Sequence, residues 1–315
     1  MQYRKNVLVT GGTGFLGANL IRKLIKRKYK VNVLSRKNSN YWRLKPIIKD
    51  LKIFELNLLN ETKLKKTVEK INPMAIFHLA AYGGNSREND IEEILKINIQ
   101  YTFNLLKASN NIDYSVFVNT GSSSEYGFKK KPMKETDFLE PNSFYAATKA
   151  STTFLCQVFA QKFNKPIVTV RPFSVYGPFE AKQRFISTIT RAIIKGERIK
   201  LTSGNIRRDF IYIDDIIDIY LGLIKKGKLL KGKVINAGAG KEYTNDEVVQ
   251  TLFRVTRKIV PIKKGSFKER SRDTDHWKAD VSFAKKSLNW IPKYSLGKGL
   301  LKNYKWFLEN INLYD

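Results

Sequence analysis

Short apolar runs rich in β-branched residues recur along the chain at Val7–Thr10, Val31–Leu34, Ile53–Leu56, Ala75–Leu79, Val116–Thr120 and Ile167–Arg171. Between them, apolar positions repeat at helical spacing: from Ala18 to Lys28, from an Asn60 cap to about Ile71, over Asp90–Asn110 and over Ser143–Phe163. Strands that alternate with such helices predict an α/β fold with a doubly wound parallel sheet. Right-handed crossovers bring the carboxyl ends of these strands to one edge, where sheets of this kind bind ligands. Beyond Pro172 the pattern loosens, with Gly177-Pro178, Gly204, Gly238 and Gly240, before a last helical segment from about Leu300 to Asn310. The organisation read from this is a sheet domain of 1–172 plus about 209–237, with a smaller C-terminal cap of about 173–208 and 238–315.

The first strand, Val7 to Thr10, breaks into Gly11-Gly12-Thr13-Gly14-Phe15-Leu16-Gly17 and then becomes amphipathic. That is a strand, a tight turn and a helix start. Spaced glycines let a pyrophosphate approach backbone N–H groups, and the helix N-terminus adds partial positive charge. In this context the spacing predicts a dinucleotide site on a Rossmann sheet. The second strand ends in Leu34-Ser35-Arg36-Lys37, where an NAD enzyme would carry an acid for the ribose hydroxyls. With Arg36 and Ser35 there, NADP(H) is expected over NAD(H).

Composition narrows the class further. A chain of 315 residues, 42% hydrophobic, can bury a substantial core. It has no apolar run near the ~20 residues that span a bilayer, so no membrane partner is expected. Cys156 is the only cysteine, which rules out an intramolecular disulfide and fits a reducing cytoplasm. The net charge of +30, from 58 Lys and Arg against 28 Asp and Glu, admits nucleic-acid or membrane contact, steering of an anionic substrate, or a solvated Lys-rich surface. The basic residues are spread along the chain, which favours the solvated surface and leaves a nucleic-acid-binding protein on the same fold as the remote alternative. No metal site is expected.

Tyr145 and Lys149 are four apart on one helical face and can share a site. A unit charge about 4 Å from another, at an effective dielectric near 20, is worth about 4 kcal/mol, enough to bring a phenol toward neutral pH. Such a phenol exchanges protons with a hydroxyl or carbonyl. Asn119-Thr120-Gly121-Ser122-Ser123-Ser124-Glu125-Tyr126-Gly127 comes directly off the fifth strand and offers hydroxyls to a substrate oxygen.

These pieces together make the chain resemble an extended short-chain dehydrogenase/reductase of the NAD(P)-dependent epimerase/dehydratase group, whose members act on nucleotide sugars. The resemblance runs nearly end to end. It rests on the glycine turn, Phe77-His78-Leu79-Ala80-Ala81, Asn98, the serine turn, Tyr145 with Lys149, Arg171-Pro172, Tyr176-Gly177-Pro178, Arg208 through Asp215, and Arg272-Asp273. It implies Ser122, Tyr145 and Lys149 as catalytic residues. It implies cofactor contacts at Gly11, Thr13, Gly14, Phe15, Leu16, Gly17, Ser35, Arg36, Asn57, Leu58, Leu79, Ala80, Ala81, Asn98 and Pro172, besides Tyr145 and Lys149. Substrate contacts fall to Tyr82, Ser123, Ser124, Ser174, Arg208 and Arg272, the two arginines on the diphosphate. Loops 82–87 and 179–185 would read the sugar hydroxyls, while His78 would be structural. The helices near 90–110 and 143–163 resemble the family's dimer surface, which implies a homodimer.

Departures from the pattern bear on the reaction. Family dehydratases carry an Asp-Glu pair where this chain has Ser123 and Ser124, so water loss is disfavoured. The expectation is a ketoreductase acting on the C4 carbonyl of a nucleotide-linked 4-keto-6-deoxyhexose; the alternative is a nucleotide-sugar 4-epimerase working through a transient 4-keto intermediate.

Overall fold

The structure, a computed structural model, describes residues 5–84, 89–202, 206–267 and 274–314. Arg272 and residues 85–87 of the loop 82–87 lie outside the described residues.

Six strands, β1 (Asn6–Thr10), β2 (Lys30–Ser35), β3 (Leu51–Glu55), β4 (Ala75–His78), β5 (Val116–Thr120) and β6 (Ile167–Pro172), join the strand Val234–Ala237 in one seven-stranded sheet. Its order runs from Val234–Ala237 through β6, β5, β4, β1 and β2 to β3. All pairings are parallel. The doubly wound expectation therefore holds. Two separate apolar cores flank the sheet: Val7, Val9, Val31 and Val33 enter one, and Leu8, Leu34, Ile76 and Phe117 the other. That two-sided burial is why the strands read as continuous apolar runs.

Local signals agree with the elements they predicted. Asn60 Oδ1 accepts from Lys63 N at 3.0 Å and caps the helix Glu61–Ile71. Ser143 caps the helix Phe144–Lys162 by accepting from Ala146 N. The first helix, α1, covers Phe15–Lys26 and stops short of Lys28, whose φ of 61° is left-handed. The stretch predicted as one helix over Asp90–Asn110 is two, Ile91–Leu95 and Tyr101–Ser109, joined by a π-helical turn at Lys96–Gln100. The last helix starts earlier than expected, at Leu296, capped by Ser295.

Smaller two-stranded pairings sit beyond the sheet edge: Ser174–Tyr176 with Phe210–Tyr212, Arg207–Arg208 with Tyr243–Thr244, and Ile199–Thr202 with Ile262–Phe267. No helix among the described residues is long and apolar enough to cross a membrane.

Candidate active site and cofactor groove

The glycine turn follows β1 directly. Gly11 has φ of 67°, and a Cβ there would lie 2.5 Å from the backbone of Leu79 and Ala80, so only glycine lets the first turn touch the loop after β4. Gly14 begins α1 with no side-chain cap, leaving the helix N-terminus to an outside acceptor. Phe15 and Leu16 turn onto the core behind it. Thr13 is held from the other side: Arg43 Nη1 donates to its carbonyl at 3.3 Å, and Arg43 Nε to Phe179 O at 2.8 Å. Arg43 was not anticipated, since nothing in Tyr41-Trp42-Arg43 marks it in the sequence.

At the end of β2, Ser35 Oγ lies 2.5 Å from the Tyr41 hydroxyl, while Arg36 is exposed. Asn57 Oδ1 accepts from Leu59 N and Tyr101 Oη, leaving Nδ2 as the donor it can offer an adenine; Leu58 is buried beside it. After β4, Leu79 and Ala80 line the groove, with Ala80 N donating to Thr10 Oγ1, and Ala81 is exposed. Asn98 is held by its neighbours. Its Oδ1 accepts from Tyr82 N and its Nδ2 donates to Tyr82 O and Thr148 Oγ1, each at 2.9 Å. Through these bonds Asn98 ties the 80–84 loop to the Tyr145 helix.

Tyr145 and Lys149 share that helix, one turn apart. The Tyr145 ring faces the same loop: a Cβ on Gly84 would be 3.9 Å from its hydroxyl. Burial, with a smaller contribution from the Tyr145 phenol, pushes the nearby Tyr220 up. Lys149 is 4% exposed. Burial brings its pKa down to about 8, against the pull of Glu125. A buried ammonium on the Tyr145 helix and an uncapped helix start after β1 are groups that a ribose hydroxyl and a pyrophosphate would complete. The chemistry of these residues fits a dinucleotide.

Ser122 opens the turn after β5 in a capping box: its Oγ accepts from Ser124 N at 3.1 Å, and Glu125 Oε1 accepts from Ser122 N at 2.8 Å. Because Oγ accepts a backbone N–H, its proton is left to donate to a substrate oxygen. Below it, Glu125 Oε2 accepts from Arg171 Nε at 2.8 Å and Thr153 Oγ1 at 2.9 Å. Burial raises the Glu125 carboxyl and the Arg171 guanidinium opposes it. This buried pair locks the serine turn onto β6 and the Tyr145 helix. The sequence reading missed it, although Ser122-x-x-Glu125 is a readable capping signal.

The expected substrate residues separate. Ser123 is 5% exposed and its Oγ accepts from Trp277 Nε1 at 3.1 Å, which holds its side chain against the cap. Ser124 and Ser174 stay partly exposed at the edge. Arg208 lies against the Trp277 ring, Cζ 5.3 Å from its centroid, and donates to Arg207 O and Thr274 O. Next to it, buried Asp209 accepts from Ala239, Gly240 and Ala279 N–H groups and anchors that side of the cap. His78 is structural, as expected: Nδ1 meets Thr10 Oγ1 and Nε2 meets Thr102 Oγ1.

Comparison with known proteins places this geometry. The family model described as NAD dependent epimerase/dehydratase family matches residues 7–238. A UDP-glucuronate 4-epimerase of Thermodesulfobacterium geofontis is 32% identical over 97% of each chain. Among solved structures, the UDP-glucuronic acid 4-epimerase from Bacillus cereus with UDP-glucuronic acid and NAD superposes with a TM-score of 0.86 at 28% identity, covering 96% of this chain and 99% of that one. The UDP-glucose 4-epimerase from Thermotoga maritima with UDP-glucose gives 0.87 at 26%, covering 97% and 99%. From its glycine turn to its Tyr145–Lys149 pair, the chain belongs to the NAD-dependent epimerase/dehydratase family of nucleotide-sugar enzymes.

Proposed function

We propose that the protein is a nucleotide-sugar 4-epimerase that uses NAD and acts on a UDP-linked hexuronate or hexose. This replaces the ketoreductase and the NADP(H) preference expected from the sequence: the end-to-end relatives just described are 4-epimerases, and a solved neighbour holds NAD.

The observation that carries the reading is chemical. The groups that carry it are the hydroxyl of Ser122 in the turn after β5 and the hydroxyl of Tyr145 one helical turn from the Lys149 ammonium, and the two residues after Ser122 are serines, one of them buried against Trp277. Hydroxyls and an ammonium move a proton to and from one sugar oxygen, whereas water loss calls for a carboxyl acid and base at those positions. Ser122 donates to the C4 oxygen and orients it; Tyr145 takes the C4 hydroxyl proton and returns it; Lys149 stabilises the phenolate and holds the nicotinamide ribose. NAD, when bound, supplies the hydride acceptor and donor. Arg208 and Arg272 serve the diphosphate, with segments 173–208 and 238–315 as the substrate-binding part.

Two copies pair in this reading. The helices Ile91–Leu95 and Phe144–Lys162 expose apolar residues one turn apart, Ile91 with Leu95 and Phe154 with Val158. Such stripes bury themselves against a second copy.

The test is incubation of purified protein with UDP-glucuronate or UDP-glucose, followed by proton NMR and absorbance at the reduced-cofactor band. The C4 epimer should form with no net change in reduced cofactor, and Tyr145→Phe should slow it by about 10²–10⁴-fold. Stoichiometric consumption of NADPH with a 4-keto sugar, or loss of water from the substrate, would sink the epimerase reading.

A further inference from the structure

The second strand ends without the acid that holds the adenosine ribose in NAD enzymes, yet three side chains around its tip form a connected hydrogen-bonded chain. β2 and β3 run parallel with Ser35 level with Glu55. The segment after β2 turns back, closed by Leu44 N and Lys45 N donating to Tyr41 O. That turn places the Tyr41 hydroxyl between the two strand ends, 2.5 Å from Ser35 Oγ and 3.3 Å from Glu55 Oε1.

The direction of this chain follows from donor counting. A carboxylate only accepts, so the single phenolic proton of Tyr41 goes to Glu55. Tyr41 then has only lone pairs for Ser35, so Ser35 must donate its one proton to Tyr41. What remains at the strand tip is the Ser35 oxygen with lone pairs alone, an acceptor backed by a negative charge. That is the hydrogen-bonding face an aspartate would show at this position.

Resting on the dinucleotide reading above, we infer that Ser35, Tyr41 and Glu55 act together as a surrogate ribose-binding acid that selects NAD(H) over NADP(H). The 2′-hydroxyl of NAD donates into the Ser35 lone pair. A 2′-phosphate has no proton to give at neutral pH and would meet an acceptor backed by the Glu55 carboxylate. Arg36 and Lys37 pull the other way, but both are exposed and neither forms an ion pair among the described residues, so each would have to be ordered out of water to reach a 2′-phosphate.

The experiment measures binding apart from turnover. Dinucleotide released from the purified full-length protein on denaturation is identified by mass spectrometry, and NAD⁺ and NADP⁺ are titrated calorimetrically into stripped protein. NAD should be released, and wild type should bind NAD⁺ at least about tenfold more tightly than NADP⁺. Tyr41→Phe frees the Ser35 proton to donate and should reduce that ratio severalfold, as should Glu55→Ala. Adding Ser35→Asp to Tyr41→Phe restores a direct acid and should restore the ratio, which a merely structural role for Tyr41 would not allow. Preference for NADP⁺ in wild type, or an unchanged ratio in Tyr41→Phe, overturns the inference while leaving the epimerase reading standing. A folded protein that binds neither dinucleotide overturns both.

Discussion

His78 and Lys149 are neighbours in burial and both pay for it in proton affinity. Desolvation, with the nearby Lys149 charge, lowers the His78 pKa from 6.5 to about 3, so the ring is neutral between its two threonine partners. In the unfolded chain His78 protonates below its ordinary value, whereas the folded protein takes that proton only near pH 3; stability is therefore lost as pH falls through this window. The loss attributable to His78 should reach about 3 kcal/mol by pH 4. Buried Asp209 and Glu180, both raised by burial to about 7, act in the opposite sense and gain stability on acidification. The measurement is thus a difference: urea unfolding of wild type and His78→Asn between pH 7 and pH 4, where wild type should lose more stability than the variant. Parallel curves would show that His78 takes up its proton in the fold as readily as in the unfolded chain, and so is not lowered by burial. At this scale the sequence offered the proposed reacting groups, Tyr145 and Lys149 through their spacing of four and Ser122 through the family resemblance of the serine turn after β5. It did not show what Asn98 or Arg43 holds, because each reaches backbone atoms far away in the chain, Asn98 to Tyr82 and Arg43 to Thr13 and Phe179.

Element by element, the strands of the sheet were legible because two-sided burial writes each one as an apolar run. The strand Val234–Ala237 was not read as one: four residues between Gly232 and Gly238 carry too short a pattern to separate from loop. The π-helical turn at Lys96–Gln100 was equally invisible, since one extra residue in a turn barely alters apolar spacing. It nevertheless sets where Asn98 points, and so where the 80–84 loop sits beside Tyr145. The neighbouring helices carry the proposed pairing face, and Phe154 and Val158 are more than half exposed in the single chain. Phe154→Glu with Val158→Glu should convert a dimer to a monomer by light scattering while the far-ultraviolet circular dichroism stays that of the wild type. A wild-type protein that already scatters as a monomer would remove the pairing.

Across the whole molecule, the +30 charge is opposed by local pairs such as Lys107 with Glu61, Lys293 with Asp218 and Lys302 with Asp214, but the 28 acids cannot neutralise 58 bases. Self-repulsion of this size weakens the compact state and is screened by salt. Raising ionic strength from about 0.05 to 0.5 M should raise Tm by about 2–4 °C, as expected for ~1 kcal/mol in a chain of this class; a flat or falling Tm in a scanning calorimeter would show that the charges are already balanced in the fold. The cap and the sheet are tied at one corner by aromatic contacts, Phe179 on Trp306 at 4.7 Å and Trp42 on Tyr314 at 5.6 Å, with Arg22 over Phe179 at 4.0 Å. This corner passes through Arg43 to the Thr13 carbonyl, so the distal end of the chain bears on the glycine turn. The strand order has an outcome during synthesis. β1 lies between β2 and β4, so a nascent chain leaving the ribosome can zip β1 to β2 early, yet the other border of β1 stays open until residues 75–78 emerge. During that interval the apolar ribbon is fringed by Lys5, Lys28 and Lys30, cations that repel a second ribbon and act as gatekeepers against edge-to-edge aggregation.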